Sequence, residues 1–265
     1  IRCETRTVGW TRCRAWEGLR RGVRRMGGDR QKLIKIRTMS KNSLQAIALQ
    51  SGLAKRGRLF SKEGQEQLGT AEMSPVMHWQ REHWLQLMAP LNQQLLETIV
   101  WFKAQSKGDV CITRLRTHPG IGLLTSLCLV HTLQPVSRFR NTRKVAAYVG
   151  FDPVERSSAE RKCFLGISKA GSRLLRYLLV EAAHTAVRKD EDLKRFYKRL
   201  ADRRGRPKAK VAAARKLLIR AFIMLRDEID YAEFRHRAVA ARLARRGQGP
   251  NVPEVLIGQP ASPRQ

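Results

Sequence analysis

The chain has 265 residues, with 53 Lys and Arg against 22 Asp and Glu, and a net charge of +31. The hydrophobic fraction of 42% is enough for a folded core. This excess of positive charge favours a polyanionic partner, with nucleic acid as the first candidate and an anionic membrane surface as the second. No apolar run is long enough to span a bilayer, and no signal peptide is evident. We therefore expect a cytoplasmic protein without a membrane partner.

The five cysteines include no CxxC pair. This spacing argues against a zinc site, and reduced thiols in a cytoplasm are the expected state. We predict no metal ligand among these residues.

Residues 1–28 mix Arg, Gly, Trp and Cys without helical or alternating periodicity. The pattern predicts an irregular basic arm. Two interpretations stay open: a disordered arm, or a stretch that is not native coding sequence, such as a truncated or frame-shifted start.

Residues 29–106 have helical spacing of apolar residues and form a predicted helical linker and coiled-coil region. Ser61 and Ser74-Pro75 are typical helix starts. A long helix is predicted over 76–106, with an apolar seam spaced by three, four or seven at Met77, Trp84, Leu87, Leu91, Leu95, Ile99 and Phe102. The seam is consistent either with self-association as a homo-oligomer or with packing against the same chain.

Lys107-Gly108-Asp109 breaks the pattern and is taken as a domain boundary. The following domain, 107–232, is predicted to be helical, with little strand signal. Its helices are expected at 110–117, 121–133, 141–149, 170–188, 190–203 and 207–230. Residues 233–265 are rich first in Arg and Ala, then in Pro and Gly, and predict a disordered tail.

The stretch Leu115-x-x-His118-Pro119-Gly120-Ile121-Gly122 has the pattern of a helix-hairpin-helix. Glycines let a backbone turn sharply and approach a phosphate, and the next helix directs its N-terminal amides at that anion. Pro119, Gly120, Ile121 and Gly122 are therefore candidate DNA-binding residues. The simpler alternative is a helix–glycine–helix turn. The predicted fold is mainly α, a long coiled-coil-like helix followed by a helical domain with this DNA-binding motif.

A serine pair, Ser157-Ser158, lies in a polar loop among basic residues. A serine hydroxyl can attack phosphorus if a base takes its proton, and cations stabilise the charge on the phosphate oxygens. The candidate phosphate ligands are Arg156, Arg161, Lys162 and Lys169. No Ser-His-Asp order supports a triad.

The segment from Gly166 to Gly171 leads into a helix that Gly171-Ser172 can start. Lys169, Arg173 and Arg176 lie on or near its first turns. They form either a phosphate clamp or a solvated basic face.

In the following order, the motifs resemble the C-terminal domain of insertion-sequence transposases of the IS110/IS1111 family: His118-Pro119-Gly120-Ile121-Gly122, residues 139–150, Pro153, Ser157-Ser158, Gly166-Ile167-Ser168-Lys169-x-Gly171, Leu175-Arg176 and residues 212–217. The segment at residues 36–49 is similar to a branch of the same family. The resemblance covers about residues 30–230.

The resemblance implies a transposase that recombines DNA as an oligomer, with a structured guide RNA and a two-part active site. One part is a carboxylate domain that holds magnesium, and the other is a serine nucleophile. By its position before a glycine that is usual in the family, Ser158 is the implied nucleophile, with Ser157 as the alternative.

The sequence departs from the family pattern in two respects. The carboxylate domain would precede residue 30, so we expect an N-terminally truncated copy without the magnesium site and with impaired transposition. Ala159, Cys163 and Leu165 also replace residues that are common at these positions. Two further hypotheses stay open: a non-catalytic helix-hairpin-helix module that binds DNA or structured RNA, and a self-associating fragment that interferes with full-length copies.

Overall fold

The computed structural model describes residues 4–53, 58–158 and 161–245; for 4–17, 19, 20, 156–158, 161–165 and 245 it describes the backbone alone. These residues form ten α-helices and a two-stranded sheet, which confirms a mainly helical fold. The elements are α1 (Glu4–Gln50), α2 (Lys62–Thr70), α3 (Pro75–Ser106), α4 (Val110–Arg116), α5 (Leu123–Leu133), α6 (Thr142–Val149), β1 (Pro153–Ser158), β2 (Arg161–Ile167), α7 (Arg173–Lys189), α8 (Glu191–Arg204), α9 (Arg206–Arg226) and α10 (Tyr231–Arg245). No described helix is both long and apolar enough to cross a membrane.

Helix α9 is the centre of the main core. It packs against α4, α6, α7 and α8. Small side chains at Ala209, Ala213 and Ala214 are fully buried and let α7 and α8 approach closely, while Leu217 and Phe222 fill the core further along. The second apolar helix of this core is α5, which is buried from Thr125 to its last residue.

Helices α1 and α3 form an antiparallel arm that joins two cores. The end of α1 and the start of α3 pack with α2 around Leu44, Leu68 and Met88. Val23 of α1 and Phe102 near the end of α3 belong to the main core. The predicted break at 107–109 is a turn in which Asp109 caps α4, and the main core continues across it.

The prediction of an irregular arm over residues 1–28 was wrong for the described part, because α1 is helical from Glu4 onward. Val23 is buried, and a Cβ on Gly27 would lie 2.7 Å from a methyl group of Leu174. Gly27 therefore permits a close contact between α1 and α7. Tertiary packing, and not the local pattern, explains the helix here.

Most of the buried apolar residues of the predicted seam of α3 pack against the same chain. Leu91, Leu95 and Phe102 are buried, which favours the interpretation of packing against the same chain. Other apolar side chains of α3 are exposed, including Val76 at 65%, Trp79 at 61% and Leu87 at 41%.

The expected loop around the serine pair is instead an antiparallel hairpin of β1 and β2. The expected disordered tail is helical up to Arg245, because α10 is tied to the domain by polar contacts of Tyr231 and by an ion pair between Arg242 and Asp192 at 3.1 Å. Residues 246–265 lie outside the described part.

Candidate nucleic-acid interface

The turn between α4 and α5 carries the first predicted site, and its key glycine faces the protein. Gly120 has a φ of +95°, and a Cβ there would lie 2.4 Å from the carbonyl oxygen of Ala182 and 2.8 Å from the amide nitrogen of Ala186. The missing side chain therefore lets the turn contact α7. Ile121 is buried in the main core. These two predicted DNA-binding residues thus have internal contacts, whereas Pro119 is half-buried and Gly122 is exposed.

Gly122 lies at the N-cap of α5 with an extended backbone and no side-chain cap. A Cβ at Gly122 would meet no atom within 4 Å. The first amides of α5 start at this exposed position, and the N-terminus of a helix favours an anion. A phosphate contact at Gly122 stays a prediction.

A buried polar network lies behind the turn, and no sequence motif predicted it. Asp190 is 3% exposed and caps α8 through the Leu193 amide. Its other carboxylate oxygen accepts hydrogen bonds from Arg220 at 2.6 Å and from the Tyr231 hydroxyl. The Tyr231 ring lies 4.5 Å from the ring of His118.

The network shifts the acid–base equilibria of its members. Burial alone would raise the pKa of Asp190, but hydrogen bonds from Arg220, Tyr231 and the Leu193 amide outweigh it and lower the pKa to about 2. Burial and the contact with Asp190 raise the pKa of Tyr231 to about 12. Burial lowers the pKa of His118 to about 4. His118 is therefore neutral at physiological pH, with Nδ1 positioned to donate to the Pro119 carbonyl at 2.9 Å.

The segment from Gly166 to Gly171 is closely packed on the end of α6. A Cβ at Gly171 would lie 2.2 Å from the carbonyl oxygen of Tyr148. Ser168 donates to the Asp152 carboxylate at 2.5 Å, and the Lys169 amide donates to the Gly150 carbonyl at 3.2 Å. These contacts fix the base of the β1–β2 hairpin.

Arg176 has a structural contact that the predicted phosphate clamp did not include. One of its terminal nitrogens donates to the carbonyl of Val149 at 3.0 Å and to that of Gly171 at 2.7 Å. It thereby satisfies a carbonyl at the C-terminus of α6, where a cation is favourable. Arg173 is exposed at the start of α7, which Ser172 caps as predicted.

The serine pair lies at the far end of the hairpin. Ser157 is paired with Lys162 and Ser158 with Arg161, so two predicted cations are opposite the two serines in the strand register. Arg156 precedes the pair on β1. The turn residues 159–160 lie outside the described part. The backbone therefore brings together five of the predicted site residues.

An open groove, here called the hairpin groove, lies between the base of the hairpin and the start of α9. Its volume is about 520 Å³. Phe151, Ile167 and Val211 are among its apolar lining residues, and its cations are Lys169, Lys208 and Arg215. Sequence reasoning identified Lys169 but not Lys208, and it noted Arg215 only as part of a motif. The helical spacing of 208, 211, 212 and 215 places these positions on one face of α9 and was a usable signal.

The described residues contain no group of three or more His, Cys, Asp or Glu side chains placed to hold a metal ion.

A helical domain with a hairpin rich in basic residues, a groove lined by cations at its base and a net charge of +31 has the properties of a nucleic-acid-binding protein. Residues 112–198 match the "Transposase IS116/IS110/IS902 family". This domain match confirms the resemblance of the chain to transposases of the IS110/IS1111 family.

Curated relatives agree with this assignment. The chain is 29% identical over 199 residues to the transposase for insertion sequence element IS1111A of Coxiella burnetii, covering 71% of this chain and 54% of the relative. It is 28% identical over 203 residues to a probable family 20 transposase of Pseudomonas aeruginosa, covering 73% and 60%. The match to the transposase for IS1328 of Yersinia enterocolitica is 29% over 170 residues, covering 61% and 49%. The chain thus spans about half the length of the curated relatives it matches.

The two glycines of the turn give a matched pair of variants. Gly120→Ala should lower the free energy of unfolding by about 3 kcal/mol, because the new Cβ overlaps the α7 backbone and φ is positive. Gly122→Ala should cost less than about 1 kcal/mol, since it changes only the N-cap preference. Chemical denaturation followed by circular dichroism measures both. Equal losses in the two variants would contradict the internal role of Gly120.

The buried neutral His118 predicts an acid-sensitive fold. In the unfolded chain a histidine binds a proton near pH 6.5, but in the folded protein only near pH 4. Protonation therefore favours unfolding, and about 3 kcal/mol of stability should be present above pH 6.5 and lost as the pH falls to 4. Denaturation at a series of pH values should show this loss. His118→Phe keeps a ring against Tyr231 and should flatten the curve in this window; an unchanged slope would assign it to other groups.

Proposed function

We propose that this chain acts in the transposition of an insertion sequence, that it binds DNA through the hairpin face, and that Ser158 attacks a DNA phosphodiester. Ser157 is the alternative nucleophile. The observation that carries the proposal is the strand register, which pairs the two serines with Lys162 and Arg161 on a hairpin next to the cations of the hairpin groove.

The chemical step is a phosphoryl transfer that conserves bonds. The Ser158 oxygen forms a bond to phosphorus, its proton passes to a base, and the bond from phosphorus to one sugar oxygen breaks. The leaving oxygen takes up a proton and ends as a free hydroxyl. A hydroxyl of another strand can later attack the phosphoserine and release the serine. Cations beside the phosphate stabilise the charge on its oxygens in both transfers.

The cationic groove supports a strand that passes the base of the hairpin. Lys169, Lys208 and Arg215 can contact its phosphates, and contacts of this kind position a nucleic acid without reading its sequence. Pro119, Gly122 and Arg173 are proposed as further backbone contacts. A structured guide RNA, as the resemblance implies, would supply the sequence recognition by base pairing.

A covalent adduct tests the nucleophile. The protein is incubated with labelled element-end DNA and the RNA transcribed from the element, and denaturing electrophoresis detects a protein–DNA adduct. We expect an adduct with the wild type and with Ser157→Ala, and at least a hundredfold less with Ser158→Ala, because that variant lacks the attacking oxygen.

The same assay separates the alternatives. An adduct that persists in Ser158→Ala but disappears in Ser157→Ala would transfer the role to Ser157. Binding without any adduct would favour the second candidate, a non-catalytic nucleic-acid-binding module, which the basic surface alone supports.

We also propose that α3 mediates self-association. Val76, Trp79 and Leu87 are exposed along the first half of the helix, and Trp79 stacks on His83 with ring centres 3.9 Å apart. Exposed apolar stripes of this kind are typical of protein interfaces. Sedimentation equilibrium should show a dimer or larger oligomer for the wild type and a monomer for Trp79→Arg. Ala89→Arg, an exposed position of α3 outside the stripe, is the control; a monomeric wild type would refute the proposal.

A further inference from the structure

A second groove, here called the three-helix groove, lies between α7, α8 and the first turns of α9. Its volume is about 270 Å³, and valine and alanine side chains of α7 and α9 form its apolar part. Four polar side chains also line it: His184, Arg188, Tyr197 and Lys210. His184 is half-buried at the wall of this groove.

The polar side chains of the three-helix groove have no hydrogen-bond or ion-pair partner in the described part of the protein. Among the described residues, none of the four forms a hydrogen bond or an ion pair, although His184, Tyr197 and Lys210 are half-buried. These polar groups are therefore free to hydrogen-bond to solvent or to a bound molecule. Two cations, one aromatic ring and one imidazole thus converge on a concave apolar surface, which is the composition of a ligand site.

We propose that the three-helix groove takes a single unpaired nucleotide of a bound strand. The apolar part and the Tyr197 ring suit the flat face of a base, because base–aromatic stacking is favourable and tolerant of sequence. Arg188 and Lys210 suit the phosphate, and His184 offers a hydrogen-bond partner to the polar edge of the base. The inference rests on the proposed nucleic-acid binding and adds that one nucleotide leaves the helical stack.

The surroundings of the groove also favour a nucleic acid. The corner between α8 and α9 places Arg203, Arg204, Arg206 and Lys208 on the exposed surface next to Lys210 along the chain. Such a continuous series of cations can follow the phosphates on either side of the extruded nucleotide. An acidic peptide would find the same charges but would leave the stacking surface of Tyr197 without a matched partner.

The test uses three labelled duplexes in DNA and in RNA form: fully paired, with one bulged adenosine, and with an abasic site at the bulge. Fluorescence anisotropy measures their dissociation constants with the full chain. We expect the bulged adenosine to bind about tenfold more tightly than the abasic bulge, in DNA, RNA or both, since the two probes differ only in the base. Tyr197→Leu should abolish this preference, and Tyr197→Phe should keep it.

The role of the groove cations can be tested with two variants of adjacent residues, one inside the groove and one outside it. Arg188→Gln should weaken binding of both bulged duplexes several-fold, whereas Lys189→Gln, which makes the same charge change outside the groove, should not. For the wild type, a bulged 5-iodouracil should cross-link to Tyr197 under ultraviolet light, as peptide mass spectrometry can locate. This measurement does not depend on the folding of any variant.

The outcomes separate the inference from the proposed function. Tight binding of all duplexes without a preference for the bulged base, or a preference that persists in Tyr197→Leu, would overturn the nucleotide site and leave nucleic-acid binding intact. A cross-link that forms only at residues outside the groove would also overturn it. Failure to bind even the fully paired duplex would refute the proposed binding function, and the nucleotide site with it.

Discussion

The carboxylate of Asp190 joins segments of the chain that are far apart in the sequence. It caps α8, pairs with Arg220 in the centre of α9 and accepts a hydrogen bond from the hydroxyl of Tyr231 at the start of α10. Tyr231 in turn contacts the turn that precedes α5, through the His118 ring and through a 2.9 Å hydrogen bond from its amide to the Thr117 hydroxyl. Without Asp190, Arg220 would be a buried charge without its counterion, a situation that typically costs about 3–5 kcal/mol. The placement of α10 and of the candidate interface therefore depends on one buried ion pair.

The ion pair between Asp190 and Arg220 matters more in a chain with a large excess of positive charge. A chain with a net charge of +31 repels itself in the folded state, so each buried arginine needs a fixed partner. Arg220 has Asp190, Arg176 has two main-chain carbonyls, and Arg81 caps the end of α2 at the Leu68 carbonyl. The exposed cations of the α8–α9 corner have no such internal contact among the residues that the structure describes. The structure thus divides the arginines into those that hold the fold and those that stay exposed.

Local signals allowed most of the helices to be predicted from the sequence. Ser61, Ser74 and Ser172 cap helices as expected, because a cap depends on three or four consecutive residues. The part of α1 around Gly27, the hairpin and α10 were missed because each has distant partners: α7 next to Gly27, Asp152 bound to Ser168, and Asp190 bound to Tyr231. No pattern within a window of ten residues carries that information.

The same limit applies to the candidate site. Lys169 lies in a sequence motif, whereas Lys208 lines the same groove only through the packing of α9. The sequence pattern marks Gly120 as a position of close backbone approach but not what approaches it, because a phosphate and a helix backbone both require a residue without a side chain there.

The two grooves have a geometric relation that bears on how a strand could be held. Helical spacing of 100° per residue places Lys208 and Arg215, which line the hairpin groove, nearly opposite Lys210 and Ala213, which line the three-helix groove. Both grooves therefore open on either side of the first turns of α9, and the exposed corner at Gly205 lies between them. A strand that contacts both must pass around the end of α9. A paired, stacked duplex resists such a sharp change of direction, whereas a strand with one unpaired nucleotide can follow it at low cost. The position of the cations on α9 thus favours a distorted nucleic acid over a straight one.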